Sequence, residues 1–249
     1  MEPRPSASES TPPEPSDDGA QAMGRRDRMA SRLSHRFGLV LVLLLLTFMF
    51  LMASPSGAWS RLVTVALQGA TLIAALAASQ ANRHLRLAVL ILAAFGLLIT
   101  VATLGTDADW VEGVIALMNV LFVAIAPVVI VRSVIRRRVI DISTVLAALC
   151  VYVLLGMLWA FVFTAVGAFQ SHAFFVQDQT PASSADFLYF SFVTQTTVGY
   201  GDLTAATDSG RAFAVLEALI GQIYLVTVVA LLVSNLMPGR RGRVQEGAE

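Results

Sequence analysis

Long apolar segments separated by short polar ones dominate the chain from residue 37 onward. Six of them approach or exceed the roughly 20 residues that a helix needs to cross a bilayer. They cover residues 37–54, 62–79, 85–104, 109–131, 142–168 and 211–237. No segment alternates apolar and polar positions as a membrane β-barrel strand does. The pattern therefore predicts an all-α membrane protein with six transmembrane helices.

A seventh apolar segment, residues 185–197, lies between the fifth and sixth predicted spans and is too short to cross a bilayer. Polar residues flank it on both sides, so the chain leaves and returns on one face of the membrane. Ser183 followed by Asp186 is typical of a capping box, which predicts that a short helix begins here. Non-helical backbone is tolerated at membrane depth only where protein buries it or where it lines a water-filled cavity. We therefore predict a re-entrant helix and loop.

The remaining segments divide the chain into four parts. Residues 1–36 are polar and end in a basic stretch, and we predict a disordered cytoplasmic tail because so few apolar groups cannot offset the entropy of ordering. A signal peptide is the competing interpretation, but the basic stretch lies far from the start and further apolar runs follow. A four-helix domain is predicted over 37–138, a second membrane domain over 139–238 and a cytoplasmic tail over 239–249.

Composition agrees with a membrane protein. Hydrophobic residues make up 56% of the chain and charged residues 14%, and the basic and acidic residues cancel to a net charge of zero. That balance argues against a nucleic-acid partner, which would attract a net basic surface. The single cysteine excludes a disulfide framework within one chain. The sequence contains no nucleophile triad, phosphate-binding loop or metal-ligand spacing, so we expect neither an enzyme nor a bound cofactor.

Arginine placement predicts the orientation. With the N-terminus inside, fifteen of the seventeen basic residues fall on the cytoplasmic side, and only Arg61 and Arg211 fall outside. Because cytoplasmic loops carry the excess of positive charge, both termini are predicted to be cytoplasmic. We expect a multi-pass protein of the cell (inner or plasma) membrane.

The chemistry is concentrated in residues 196–202, which read TTVGYGD. The preceding short helix ends near Thr196, and a helix C-terminus carries partial negative charge that favours a cation. Gly199 and Gly201 adopt left-handed backbone angles without steric cost. Alternating them with ordinary residues can turn successive carbonyls to one side, where they replace the water shell of a monovalent cation. One chain supplies one such row, so four chains are needed to enclose an ion.

This string, and the order of the elements around it, resemble the potassium channel superfamily over about residues 142–238. The resemblance implies a pore domain over 139–238, with outer helix, pore helix, selectivity filter and inner helix, assembled as a homotetramer in the lipid bilayer. It implies K⁺ as the permeant ion, bound by the backbone carbonyls of Thr197, Val198, Gly199 and Tyr200. The Thr197 hydroxyl would be the innermost ligand, and Gly201 would let the mouth turn outward.

The resemblance also implies supporting residues around the filter. Thr196 precedes it, and the Tyr200 ring would pack against aromatic residues of the pore helix. Asp202 would anchor the mouth, with Tyr189 as hydrogen-bond donor. Val193 occupies the position where some family members carry a carboxylate, so no buried acid pair is expected there.

The sixth predicted span resembles an inner, cavity-lining helix. Gly221 falls where the family often has a hinge glycine, although a packing glycine is an open alternative. Helical periodicity places Gln222, Leu225 and Val229 toward the cavity. Glu217 is the acid within this span, and two hypotheses remain open for it: a functional carboxylate, or a neutral or hydrogen-bonded group behind the filter.

The first four spans resemble a voltage-sensor domain without its charges. A sensor helix needs arginines spaced through the span so that charge crosses the field. Residues 109–131 contain none, and Arg132 and residues 136–138 are positive-inside anchors. Gln68 and Asn119 are expected to make interhelical hydrogen bonds. We therefore predict opening that is not steeply voltage-dependent.

Two alternatives to a K⁺-selective channel stay open. One is a weakly selective cation channel of the same fold, and the other is a non-conducting membrane scaffold or sensor that retains the pore loop. About a dozen residues follow the sixth span, so no regulatory-domain partner is expected.

Overall fold

The computed structural model describes residues 37–53, 58–78, 83–103, 109–135, 142–177 and 182–236. These ranges contain the helices α1 (Phe37–Ala53), α2 (Ala58–Ala78), α3 (Arg83–Ala102), α4 (Asp109–Ile135), α5 (Ile142–Phe169), α6 (Ser184–Gln195) and α7 (Asp208–Leu236). The predicted all-α class is confirmed for the described residues. The two predicted tails, 1–36 and 239–249, lie outside them.

Three helices contain stretches long and apolar enough to cross a membrane: Gly113–Arg132 in α4, Ile142–Phe169 in α5 and Asp208–Val228 in α7. Shorter apolar stretches are Phe37–Ala53, Leu62–Ala78 and Ala93–Ala102. These apolar helices support a protein that crosses the membrane several times, while the count of six spans stays a prediction.

One apolar core joins α1, α2, α4 and α5. Val40, Leu72, Ile130 and Leu154, one from each of these helices, are all buried in it. Cys150 of α5 is fully buried in the same core, and its thiol lies 3.6 Å from the Phe37 carbonyl oxygen, to which it donates. The long α4 thus packs directly on α5. This contact joins the first four helices to the helices that follow them in the chain.

Three buried threonines in the first four helices make hydrogen bonds inside their own helix. Thr47, Thr71 and Thr100 each donate to the carbonyl four residues earlier, at 2.8–2.9 Å. Gln68 and Asn119 are both buried and line a cavity of about 10 Å³ between α2, α3 and α4. Within the described part of the chain the Gln68 side-chain nitrogen has no hydrogen-bond partner, so the interhelical bond expected from that nitrogen is absent there.

A second, aromatic core fixes α6 against the C-terminal half of α5. Phe163 of α5 meets Phe190 of α6 edge-on, with ring centroids 5.1 Å apart. Phe174, from the segment after α5, lies 5.2 Å from the Phe187 ring in the same geometry. Edge-to-face pairs of this kind stabilise beyond the area that they bury. The short helix is therefore held along one side by rings.

The segments before α6 and after it are paired with each other. The Val176 amide donates to the Thr204 carbonyl at 2.9 Å, and the Ala206 amide donates to the Phe174 carbonyl at 2.8 Å. This antiparallel bridge keeps the end of α5 and the start of α7 at one end of the helix pair. The chain from α6 through residues 196–202 is consequently a loop that starts and finishes at that end.

Candidate ion-binding site

The position of α6 is set at its first residue. Ser183 caps the helix: its hydroxyl accepts from the Asp186 amide at 3.3 Å, and the Asp186 carboxylate accepts from the Ser183 amide at 2.8 Å. This is the capping box that the sequence predicted, and it is confirmed. The start of α6 is thus fixed, and its C-terminal end leads straight into residues 196–202.

Val193 holds the first turn of that segment through its backbone. Its carbonyl accepts from the Val198 amide at 3.0 Å and from the Gly199 amide at 3.3 Å. The Thr196 hydroxyl donates to the Phe192 carbonyl at 2.6 Å, closing the end of the helix. The sequence singled out Val193 only for its side chain. The hydrogen bonds to its carbonyl were not predicted, because a pattern of side chains contains no information about a single backbone contact.

The backbone alternates in handedness through the site. Among the described residues, φ is positive at Thr197 (58°), Gly199 (56°) and Gly201 (78°), which is every second position. The two glycines were expected to adopt such angles. Thr197 was not, because a non-glycine residue with positive φ is uncommon and this one is β-branched. The alternation extends one residue further toward α6 than the glycines alone predict.

The expected contact between Tyr189 and Asp202 is present. The Tyr189 hydroxyl donates to the Asp202 carboxylate at 2.7 Å. This bond raises the pKa of the Tyr189 phenol above its ordinary value, because the neutral phenol donates to the carboxylate. Tyr189 therefore keeps its proton, and can donate it to Asp202, throughout the neutral pH range.

No ring contact between Tyr200 and another aromatic side chain is found in the described part of the chain, although Tyr200 is near enough to interact electrostatically with Tyr189 of α6. The Tyr200 side chain is 72% exposed, and Val198 is 53% exposed. The rings of α6 instead contact α5, the segment after it, and Phe48 of α1. The expected packing of the Tyr200 ring against aromatic residues of α6 stays a prediction. One side of residues 197–201 stays uncovered.

Gln195, at the end of α6, was not recognised in the sequence and lies at the point where three helices meet. It is fully buried, and its amide nitrogen donates to the Tyr152 carbonyl of α5 at 2.9 Å. A Cβ built on Gly156 would lie 2.7 Å from the Gln195 Oε1, and one built on Gly221 would lie 2.8 Å from its Cγ. Both glycines therefore make room for one side chain. A polar residue at the end of an apolar helix was the available signal.

The same contact gives Gly221 a packing reason to be glycine, while its role as a hinge stays a prediction. Next to it, the Gln222 amide nitrogen donates to the Thr197 hydroxyl at 3.2 Å. Leu225, one turn further along α7, is 42% exposed. The Val229 side chain lies outside the described part of the chain. Of the predicted cavity residues that the structure describes, Gln222 makes a hydrogen bond to the site.

Glu217 is fully buried on α7, and its Oε1 lies within hydrogen-bonding distance of the Ser191 hydroxyl of α6. The Ser191 hydroxyl also lies 2.7 Å from the Gly156 carbonyl oxygen of α5. The sequence left Glu217 between a functional carboxylate and a hydrogen-bonded group behind the filter, and it missed Ser191 altogether. The contact places the Glu217 carboxyl against α6. Its partner there, Ser191, precedes Gly199 by eight residues.

Comparisons with known proteins agree with the geometry. Residues 147–237 match the family model described as ion channel. Potassium voltage-gated channel subfamily A member 10 of Mus musculus is 35% identical over 85 residues, which cover 32% of this chain and 17% of that protein. The Gallus gallus protein of the same name is also 35% identical over 85 residues, covering 32% and 16%. For potassium voltage-gated channel subfamily A member 4 of Homo sapiens the values are 35% over 85 residues, 32% and 13%.

The aligned part spans less than a fifth of the length of these relatives. Within that part, the comparisons support the resemblance to the potassium channel superfamily. They also support ion transport across a membrane as the general kind of function.

Proposed function

We propose that this protein is a potassium-selective channel, through which K⁺ moves down its electrochemical gradient along a pore shared by four copies of the chain. The observation that carries the proposal is the left-handed backbone at every second residue of 197–201, inside the string TTVGYGD. In the proposed pore, the carbonyls of Thr197, Val198, Gly199 and Tyr200 replace the hydration water of the ion. K⁺ is the permeating ion, and no resident cofactor is needed.

The exposed filter segment supports the assembly of several chains, because non-helical backbone at membrane depth has to be covered by protein or line a water-filled cavity. On α7, the side chains of Leu219, Ile223 and Val226 are more than half exposed in the single chain. Tyr200 and Val198 are exposed on the filter segment as well. Four copies around an axis cover the filter segment with a neighbour's surface and bring four carbonyl rows together. The partners are thus the chain itself and the surrounding lipid.

The four-helix part is proposed to lack a working voltage sensor. The apolar stretch of α4, Gly113–Arg132, carries its one arginine at the last position. Sensors move about 3–4 elementary charges per subunit across the field. We expect less than about one charge per channel here, measured as the limiting slope of open probability against voltage. A slope that corresponds to several charges would contradict this part of the proposal.

Reconstitution tests the function directly. Full-length protein in liposomes should carry a K⁺ current whose reversal potential follows the K⁺ gradient and shifts when Na⁺ replaces K⁺ on one side. A current that treats the two ions alike would indicate the weakly selective channel instead. Absence of any current from a folded, assembled protein would favour the non-conducting scaffold. Protease added to the cytoplasmic side of the membrane would also test the proposed orientation, because it should cleave both termini.

Replacing Tyr189 with phenylalanine is expected to make the K⁺ current decline several-fold faster during sustained opening. The change removes the hydroxyl that donates to Asp202 and leaves the ring in place. The measurement is the decay rate of current in bilayers. Tyr224→Phe is the matched control, because it deletes a hydroxyl that donates to the Ala148 carbonyl, away from the filter mouth. Equal decay rates for both variants would refute the anchoring role.

A further inference from the structure

We propose that Glu217 is held as a neutral carboxylic acid that donates its proton to Ser191, so that it ties α7 to α6 and, through Ser191, to α5. The tie is a feature of the single chain. Its effect on ion flow rests on the proposed function.

The Ser191 hydroxyl has one proton, and it lies within hydrogen-bonding distance of two oxygens, the Gly156 carbonyl and the Glu217 Oε1. A carbonyl oxygen can only accept. If Ser191 donates to Gly156, the contact with Glu217 needs a proton from the carboxyl group. A protonated Glu217 provides it, and both hydrogen bonds are then complete.

The surroundings of Glu217 favour the neutral form as well. The side chain is 0% exposed, and its Oε2 has no hydrogen-bond partner in the described part of the chain. An ionised carboxylate would therefore be buried with one donor at most. Ionised groups in apolar surroundings are costly unless paired, whereas the carbonyl oxygen of a neutral acid tolerates the lack of a partner far better.

The tie lies where it can position the filter. Ser191 is in the middle of α6, two residues before Val193, whose carbonyl accepts from Val198 and Gly199. A shift in the position of α6 therefore also displaces the filter backbone, because the filter follows α6 directly in the chain. The hydrogen-bond partner of Glu217 is Ser191 rather than a proposed carbonyl ligand, so we describe Glu217 as a positioning residue.

Infrared spectroscopy of the full chain in liposomes tests the protonation state without relying on ion flow. We expect wild-type protein to show the carbonyl stretch of a protonated carboxylic acid at neutral pH. Glu217→Gln should remove it, and Ser191→Ala should shift it because the acceptor of the proton is gone. Asp208→Asn is the matched control, since it makes the corresponding acid-to-amide change on the same helix and should leave the band intact. A spectrum in which Glu217→Gln removes no such band, or Ser191→Ala leaves it unmoved, overturns the tie.

Potassium flux tests the positioning role. Glu217→Gln keeps an N–H donor for Ser191 and should retain flux within about threefold, whereas Glu217→Leu keeps the volume, loses the donor and should fall at least about tenfold. Equal flux from Glu217→Leu and wild type would overturn the positioning role. A wild-type protein that shows the infrared band but carries no K⁺ would refute the proposed function and leave the tie standing.

Discussion

Replacing Gly199 with alanine is expected to lower the K⁺-to-Na⁺ permeability ratio by at least about tenfold, since the new residue disfavours the backbone angle that the site requires. Gly199 has φ of 56°, and a Cβ added there would meet no atom within 4 Å in the chain. The cost is therefore conformational, at about 1–2 kcal/mol in each chain. In the proposed pore of four chains this cost applies four times, and a return to ordinary φ would rotate a carbonyl out of the row. Reversal potentials under mixed K⁺ and Na⁺ gradients give the ratio.

Gly69 offers a matched control for this experiment. A Cβ at Gly69 of α2 also meets nothing within 4 Å, and its φ lies outside the left-handed range. Gly69→Ala adds the same methyl group to a regular helix, where alanine is the favoured residue. Its selectivity should equal that of the wild type. A Gly199→Ala channel that still prefers K⁺ as strongly as the wild type would refute the proposed role of the alternating backbone.

Replacing Gly221 with alanine is expected to destabilise the assembled protein. The added Cβ would lie 2.8 Å from the Gln195 Cγ and 3.0 Å from the Gln195 carbonyl oxygen. The side chain has little room to turn because its amide is bonded to the Tyr152 carbonyl. Overpacking of this kind costs about 1–3 kcal/mol in each chain. Thermal unfolding of the protein in lipid nanodiscs is the measurement, with Gly69→Ala again as the control.

A double-mutant cycle separates packing from hinge action at Gly221. In a Gln195→Ala background the Cγ contact is gone and only the carbonyl contact remains. If Gly221 is glycine for packing, Gly221→Ala should cost less stability in that background than in the wild type. A hinge predicts equal stability costs in both backgrounds together with altered opening. That second outcome would remove the packing explanation.

The sequence predicts the features that depend on neighbours along the chain. Helical class, the capping box at Ser183 and the left-handed glycines 199 and 201 all follow from local chemistry, and the structure agrees with each. The bond between Tyr189 and Asp202 was found because the resemblance supplied the pairing.

The sequence could not predict contacts between residues that are far apart along the chain. Ser191 and Glu217 are 26 positions apart, and nothing in their spacing marks them as partners. Gln195 sits in a gap that exists only once Gly156 and Gly221 face it from two other helices. Thr197 likewise has a left-handed angle that its β-branched side chain disfavours, directly before two residues whose amides donate to the Val193 carbonyl.

If the proposed channel forms, the exposed apolar surface of α7 makes ion conduction depend on the density of the protein in its membrane. Acyl chains cover Ile223 and Val226 of an isolated subunit about as well as another subunit does. The hydrophobic effect therefore hardly favours the associated form over the free form. By mass action, the associated fraction then rises with the number of subunits per unit area of bilayer. Conductance of a sparse preparation should accordingly grow faster than in proportion to the protein added, and dilution with lipid should silence it reversibly.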